Sequence, residues 1–108
     1  RFYWLVSNQA TDSMRCVSSL SNIKRYGLPN NERHRLQLHF SRNCVDWCFA
    51  GMVACSTNEL YSRNYPSAVI KGDDLHIVCR SADEHALNPQ YNNMITHHIV
   101  SNFRQLIY

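Results

Sequence analysis

The chain has 108 residues, with 44% hydrophobic, 11% aromatic and 18% charged side chains. That is one domain's worth at most, and it is too apolar and too weakly charged to stay disordered. No apolar run approaches the ~18 residues of a membrane-spanning helix, and a net charge of +3 without a block of like charges argues against a nucleic-acid tail.

Strand signals recur along the chain, and helical periodicity is scarce. Phe2 to Val6 is aromatic and β-branched, which predicts a strand. A long polar connection follows, from about 8 to 34. Arg35 to Ser41 alternates, with Leu36, Leu38 and Phe40 on one face and Gln37 and His39 on the other, the period of a half-buried strand. The turn at Asn43 to Asp46 leads into a second strand, Trp47 to Ala54, so that 36–54 is a hairpin. Ser67 to Ile70 and Leu75 to Cys79 flank the turn residues Lys71-Gly72-Asp73-Asp74 and predict another hairpin. A second long connection runs from Ser81 to Asn93. Met94 to Val100, a turn near Ser101-Asn102, and Phe103 to Tyr108 predict a third hairpin. Trp4 and Trp47 are expected to anchor the core. The fold class is therefore all-β, built of antiparallel hairpins in a meander.

Five cysteines (16, 44, 48, 55 and 79) show no Cys-x-x-Cys spacing, and Cys48, Cys55 and Cys79 fall in apolar stretches as small hydrophobes. Six histidines invite a metal reading. His97 and His98 are adjacent, however, and point to opposite faces of a strand, while His39 and His76 face outward. No metal and no cofactor are expected. Nine of the eleven basic residues are Arg, a bias that suits bidentate recognition of carboxylate or phosphate.

The segment Ser41 to Trp47 (SRNCVDW) resembles the Ser-x-Asp-x-x-x-Trp turn of β-propeller glycosidases, with Asn43 where Asp is usual and without the Gly. Asn31 to Leu38, Ser62 to Ser67, Gly72 to Leu75, Arg80 to Glu84, Asn93 to Thr96 and Asn102 to Leu106 follow in an order that resembles the C-terminal part of bacterial sialidase-like proteins with BNR (Asp-box) repeats. The resemblance implies about two blades of a sialidase-like β-propeller, a single partial domain over 1–108 with blade units near 1–60 and 61–108. The chain starts at Arg1 in an aromatic strand, which fits a fragment.

The same resemblance implies a carbohydrate-active parent, an exo-glycosidase that acts on or binds terminal acidic sugars and is inactive as this isolated piece. The alternative is a non-catalytic glycan-binding or structural β-module. Sialidases hold a carboxylate with clustered Arg and cleave with a Tyr nucleophile. Carried onto this chain, Arg80, Arg63 and Arg33, with Glu32 and Tyr65, are the substrate-binding candidates. Tyr91, Glu84 and Asp83 are the catalytic candidates, as nucleophile, base and acid. A structural salt bridge is the competing role for Arg80, and a solvated charge pair for Arg33. The expected partner is an acidic sugar or glycan, not nucleic acid or membrane, with self-association possible through exposed strand edges. A small β-sandwich that binds nucleic acid through Arg and aromatics is a more distant alternative. Nothing in the sequence indicates a compartment.

Overall fold

The computed structural model describes residues 1–8, 33–56, 61–87 and 92–108. Six strands follow in chain order: β1 (Tyr3–Asn8), β2 (Arg35–Ser41), β3 (Trp47–Cys55), β4 (Arg63–Lys71), β5 (Asp74–Ser81) and β6 (Met94–Val100). They form two three-stranded antiparallel sheets of order β1-β2-β3 and β4-β5-β6, here sheets A and B. Among the described residues each sheet has two edge strands. Neither closes or curls around an axis as propeller blades require, so the two-blade expectation is corrected to two open sheets. β1–β3 lie within 1–60 and β4–β6 within 61–108.

The two sheets share one apolar cluster. The alternation in β2 sends Leu36, Leu38 and Phe40 inward, and that in β5 sends Leu75, Ile77 and Cys79 inward, all buried. Trp4, Val6, Ala50, Val53, Ala54 and Val100 pack against this cluster. Each large side chain buried this way contributes roughly 1.5–3 kcal/mol. Gln37, on the face expected to be polar and outward, is also buried, and His39 beside it is half-buried. Trp47, expected in the core, is 37% exposed at the start of edge strand β3.

The β2–β3 turn is organised by two side chains. Ser41 Oγ accepts from the backbone N–H groups of Asn43 (3.2 Å) and Cys44 (2.9 Å). Asn43 Oδ1 accepts from the N–H groups of Val45 (2.9 Å) and Asp46 (2.8 Å), and its Nδ2 donates to Asp46 Oδ2 at 2.8 Å. Asn43 thus accepts as an Asp would and adds a donor bond that an Asp cannot make. Cys44 takes a left-handed φ of 63° at the bend.

The third hairpin does not form. β6 pairs with β5 along its whole length, from Leu75 opposite Val100 to Ser81 opposite Met94. Asn102, at φ 52°, turns the chain into a short 3-10 helix, Phe103–Leu106. Phe103 enters the core, with its ring centroid 4.7 Å from that of Trp4. The β4–β5 turn holds this segment: Phe103 N donates to Asp73 O (3.3 Å), and Arg104 Nη1 donates to Gly72 O (3.0 Å). Burying an aromatic ring outweighs a return strand there.

Two further ties join the sheets. Near one end, Asn8 Nδ2 donates to Arg35 O and Arg63 O, each at 2.7 Å, and lies 3.3 Å from Arg33 O. At the other, Arg42 Nη2 donates to Tyr108 O (2.8 Å), and the Tyr108 ring meets Phe40 edge-on at 5.2 Å. Cys44, Cys48, Cys55 and Cys79 are free thiols, with Cys79 buried and Cys44 and Cys55 exposed rather than packed. No helix among the described residues is long and apolar enough to cross a membrane.

Candidate functional site

β4 opens with an irregularity. Its pairing with β5 shifts between Asn64 and Ser67, and within that bulge Tyr65 adopts φ 50°. A bulky residue in the left-handed region costs of order 1–3 kcal/mol. Pro66 is tolerated because β4 is an edge strand. The bulge turns the Tyr65 ring outward, 60% exposed, at one end of sheet B.

Two guanidinium groups meet that ring. Arg80 CZ lies 5.1 Å from its centroid and Arg33 CZ 5.6 Å, both within cation–π range. Arg80 is further held by Asn92. With its side-chain oxygen turned toward Arg80, Asn92 accepts from Arg80 Nε (2.7 Å) and Nη2 (2.8 Å), and its amide donates to Ser62 Oγ (3.0 Å) and Asn64 Oδ1 (3.1 Å). Asn64 is buried, and its Nδ2 finds no partner among the described residues.

The predicted site residues separate into three groups. Arg33, Tyr65 and Arg80 converge as described. Arg63 is adjacent in sequence, but its Nη1 donates to the carbonyls of Ser62 (2.9 Å) and Ala82 (2.8 Å), which makes it a backbone tie. Asp83 and Glu84 lie in the loop after β5. The His85 backbone N–H (2.9 Å) and the Asn93 amide (2.9 Å) hold Asp83 below the ordinary carboxylate range, so it is ionised at neutral pH. Glu84 meets His85 at 3.4 Å, both largely exposed. Glu32 and Tyr91 lie outside the described residues.

Sheet B continues from the Arg–Tyr cluster as an outer face that carries exposed apolar residues among polar ones. Its outward rows are Arg80 beside Ile95, then Ser67, Val78 and His97, then Val69, His76 and Ile99. Val69, Val78, Ile95 and Ile99 are between 43% and 74% exposed. Scattered apolar residues are ordinary on a surface; here four share one face, in a strip interrupted by His76 and His97. The reading of single motifs did not find this strip. Its signal is the presence of Val69, Val78, Ile95 and Ile99 at outward positions of β4, β5 and β6, where β5 already buries its other face.

A polar chain lies on the inner face of the same sheet. Ser81 Oγ and Thr96 Oγ1 are 2.7 Å apart, Thr96 Oγ1 and His98 Nε2 are 2.8 Å apart, and Cys79 Sγ is 3.3 Å from Thr96 Oγ1. Burial first, then the charges of Arg63 and His97, lower the His98 pKa, so its ring is neutral at physiological pH. These bonds satisfy polar groups at the sheet's inner margin.

The chain matches no protein-family model, no curated protein and no solved structure. With two open sheets in place of blades, that corrects the sialidase-like resemblance. The short motifs occur in order without making the chain a member of that superfamily. The exo-glycosidase and glycan-module readings built on the resemblance fall with it.

Proposed function

We propose that this chain is a binding module that takes an extended protein segment on the outer face of sheet B. The partner's carboxylate is received between Arg33 and Arg80, and its apolar side chains lie on the strip of Ile95, Val78, Val69 and Ile99. The observation that carries the reading is Tyr65, strained and exposed, with a guanidinium on it from Arg80 within β5 and another from Arg33 just before β2. Strained residues that persist in a fold concentrate at binding sites. Charge complementarity selects an acidic partner, since guanidinium matches carboxylate in a planar, bidentate way. A free acidic sugar could use the same guanidinium groups but would leave the adjoining apolar strip unused, so the strip favours a peptide.

The test is selection from a phage-displayed random peptide library on the full chain. Enrichment of Asp or Glu next to aliphatic residues is the expected result. Arg80→Ala and Ile95→Asp should each weaken the selected peptides by about tenfold or more, on the scale of a central anchor residue. Peptides without an acidic signature, or binding unchanged in Arg80→Ala, would overturn the proposal.

A further inference from the structure

Among the described residues four strands stand at sheet edges: β1, β3, β4 and β6. An edge strand offers a row of unpaired backbone N–H and C=O groups, and chains that stay monomeric blunt it with Pro, Lys, bulges or a covering segment. Three of these edges are blunted. β1 runs beside β4 of the other sheet, and Asn8 ties it to the Arg63 carbonyl. β3 shifts register twice against β2, between Leu36 and Gln37 and between Leu38 and His39. β4 carries Pro66, Lys71 and the bulge at Tyr65. β6 has none of these devices. Its seven residues, Met94 to Val100, include no Pro, Lys, Arg, Asp or Glu, and they pair with β5 without a shift.

The sequence of β6 also indicates what pairs with it. Turned about a two-fold axis at His97, perpendicular to the sheet, the strand meets its own copy with apolar opposite apolar and polar opposite polar. Ile95 then faces Ile99 of the copy, Met94 faces Val100, Thr96 faces His98, and the two His97 residues meet at the axis. An axis at Thr96 would set Ile95 against His97, and one at His98 would set Ile99 against His97, so either slip loses the match of cross-strand pairs. The end of the strand supplies a second observation. Val100 lines an apolar cleft of about 220 Å3 with Leu38, Ala50, Val53 and Leu106, and the His97 axis brings Met94 of the copy beside Val100. We infer that β6 pairs antiparallel with β6 of a second copy of this chain, joining two B sheets into one sheet of six strands about a two-fold axis. Ile95 and Ile99, 74% and 53% exposed, become cross-strand partners at the seam. Seven residues of strand span only about 24 Å, short for a standard interface of ~1,600 Å2, so the dimer is weak and concentration-dependent. The inference does not rest on the peptide reading, which uses the face of the sheet and not its edge.

The test is sedimentation equilibrium of the full chain over a concentration series at physiological salt. The average mass is expected to rise from 12.6 kDa toward twice that value. His97→Lys and His97→Glu should each weaken association about fivefold, because like charges then stand directly opposite at the axis. An equimolar mixture of the two variants should restore it, since Lys then faces Glu. His97 is an exposed position, and far-ultraviolet circular dichroism checks that each variant is folded. Amide hydrogen exchange locates the contact: alternate β6 amides should slow as concentration rises, because a new strand takes up the N–H groups on the free side. Three results would overturn the inference. One is a mass that stays at 12.6 kDa at every concentration. Another is equal association of the single variants, their mixture and the parent, which would remove His97 from the axis. The third is β6 exchange independent of concentration in a chain that does associate, which would place the contact on a sheet face or on β3.

Discussion

Tyr65 joins two costs at one residue. Its backbone is in a region that disfavours a side chain, and its ring is left in water. Tyr65→Gly removes both, so the variant is expected to unfold at a urea midpoint no lower than the parent's, with a gain of at most about 1 kcal/mol. Peptide binding should fall in the same variant. Stability and binding would then move in opposite directions, which a merely structural tyrosine would not produce. Two histidines add a pH dependence. Burial lowers the His39 pKa, and burial with Arg63 and His97 lowers that of His98, both from 6.5. The unfolded chain therefore binds more protons than the native one below that value. Their contribution is complete above pH 6.5 and is lost as pH falls through the native values. Urea midpoints measured from pH 7.5 to 5 should decline, and His98→Asn should flatten part of the decline.

The β2–β3 turn shows how much an element depends on a few hydrogen bonds. Asn43 satisfies two backbone N–H groups and an aspartate oxygen, and no other side chain in the turn could replace it. Asn43→Ala should cost about 1–3 kcal/mol, read from the shift in denaturation midpoint, because donors lose their partners. Asn43→Asp should cost less, since it keeps the two accepting bonds while losing the donor bond to Asp46 and placing two carboxylates together. The strands themselves were legible in the sequence. β5 alternates in burial and β2 alternates in sequence, because each turns one face toward the other sheet. Two things escaped. Phe103 to Tyr108 looks like a strand by composition, but the space beneath Trp4 takes Phe103 instead, and a tertiary demand overrides local propensity. The burial of Gln37 also runs against its polarity, and periodicity alone carries no sign of it.

At the level of the whole molecule, the candidate site depends on pairings that no local pattern reveals. Arg80 and Tyr65 meet because β4 and β5 form a hairpin with a bulge, and the Gly72-Asp73 turn predicts that hairpin. Arg33 arrives from the other sheet, where its carbonyl accepts from Arg63 N at 2.6 Å, a long-range tie absent from any short window of sequence. His76 was readable as an outward position and His97 as facing away from His98, but their meeting required knowing that β6 pairs with β5. Short motifs shared with a large superfamily were a weaker guide than periodicity, because a turn that needs Ser, Asn and Asp for its own hydrogen bonds arises in many folds. Phe103 is the side chain whose loss would test the two-sheet core most directly. Phe103→Ala should cost about 3–5 kcal/mol in a denaturation experiment.

The contact between Phe103 and Trp4 also bears on how this chain comes to fold. The two rings touch across nearly the whole described sequence. During synthesis β1 and β2 can pair early, bringing Trp4 against Phe40, and the β4–β5 hairpin can form on its own, but the Trp4–Phe103 contact waits until residue 103 has left the ribosome. Although Trp4 and Phe103 stand about a hundred residues apart, the β1–β2 pairing and the β4–β5 hairpin shorten the loop that remains to be closed, and its entropy must be met before the contact returns any energy. A nascent chain stalled short of that point would hold two half-formed sheets with the shared apolar faces in water, a state that chaperones recognise and proteases cut. Phe103, the last aromatic side chain in chain order to be buried, thus sets the point at which the shared core can close.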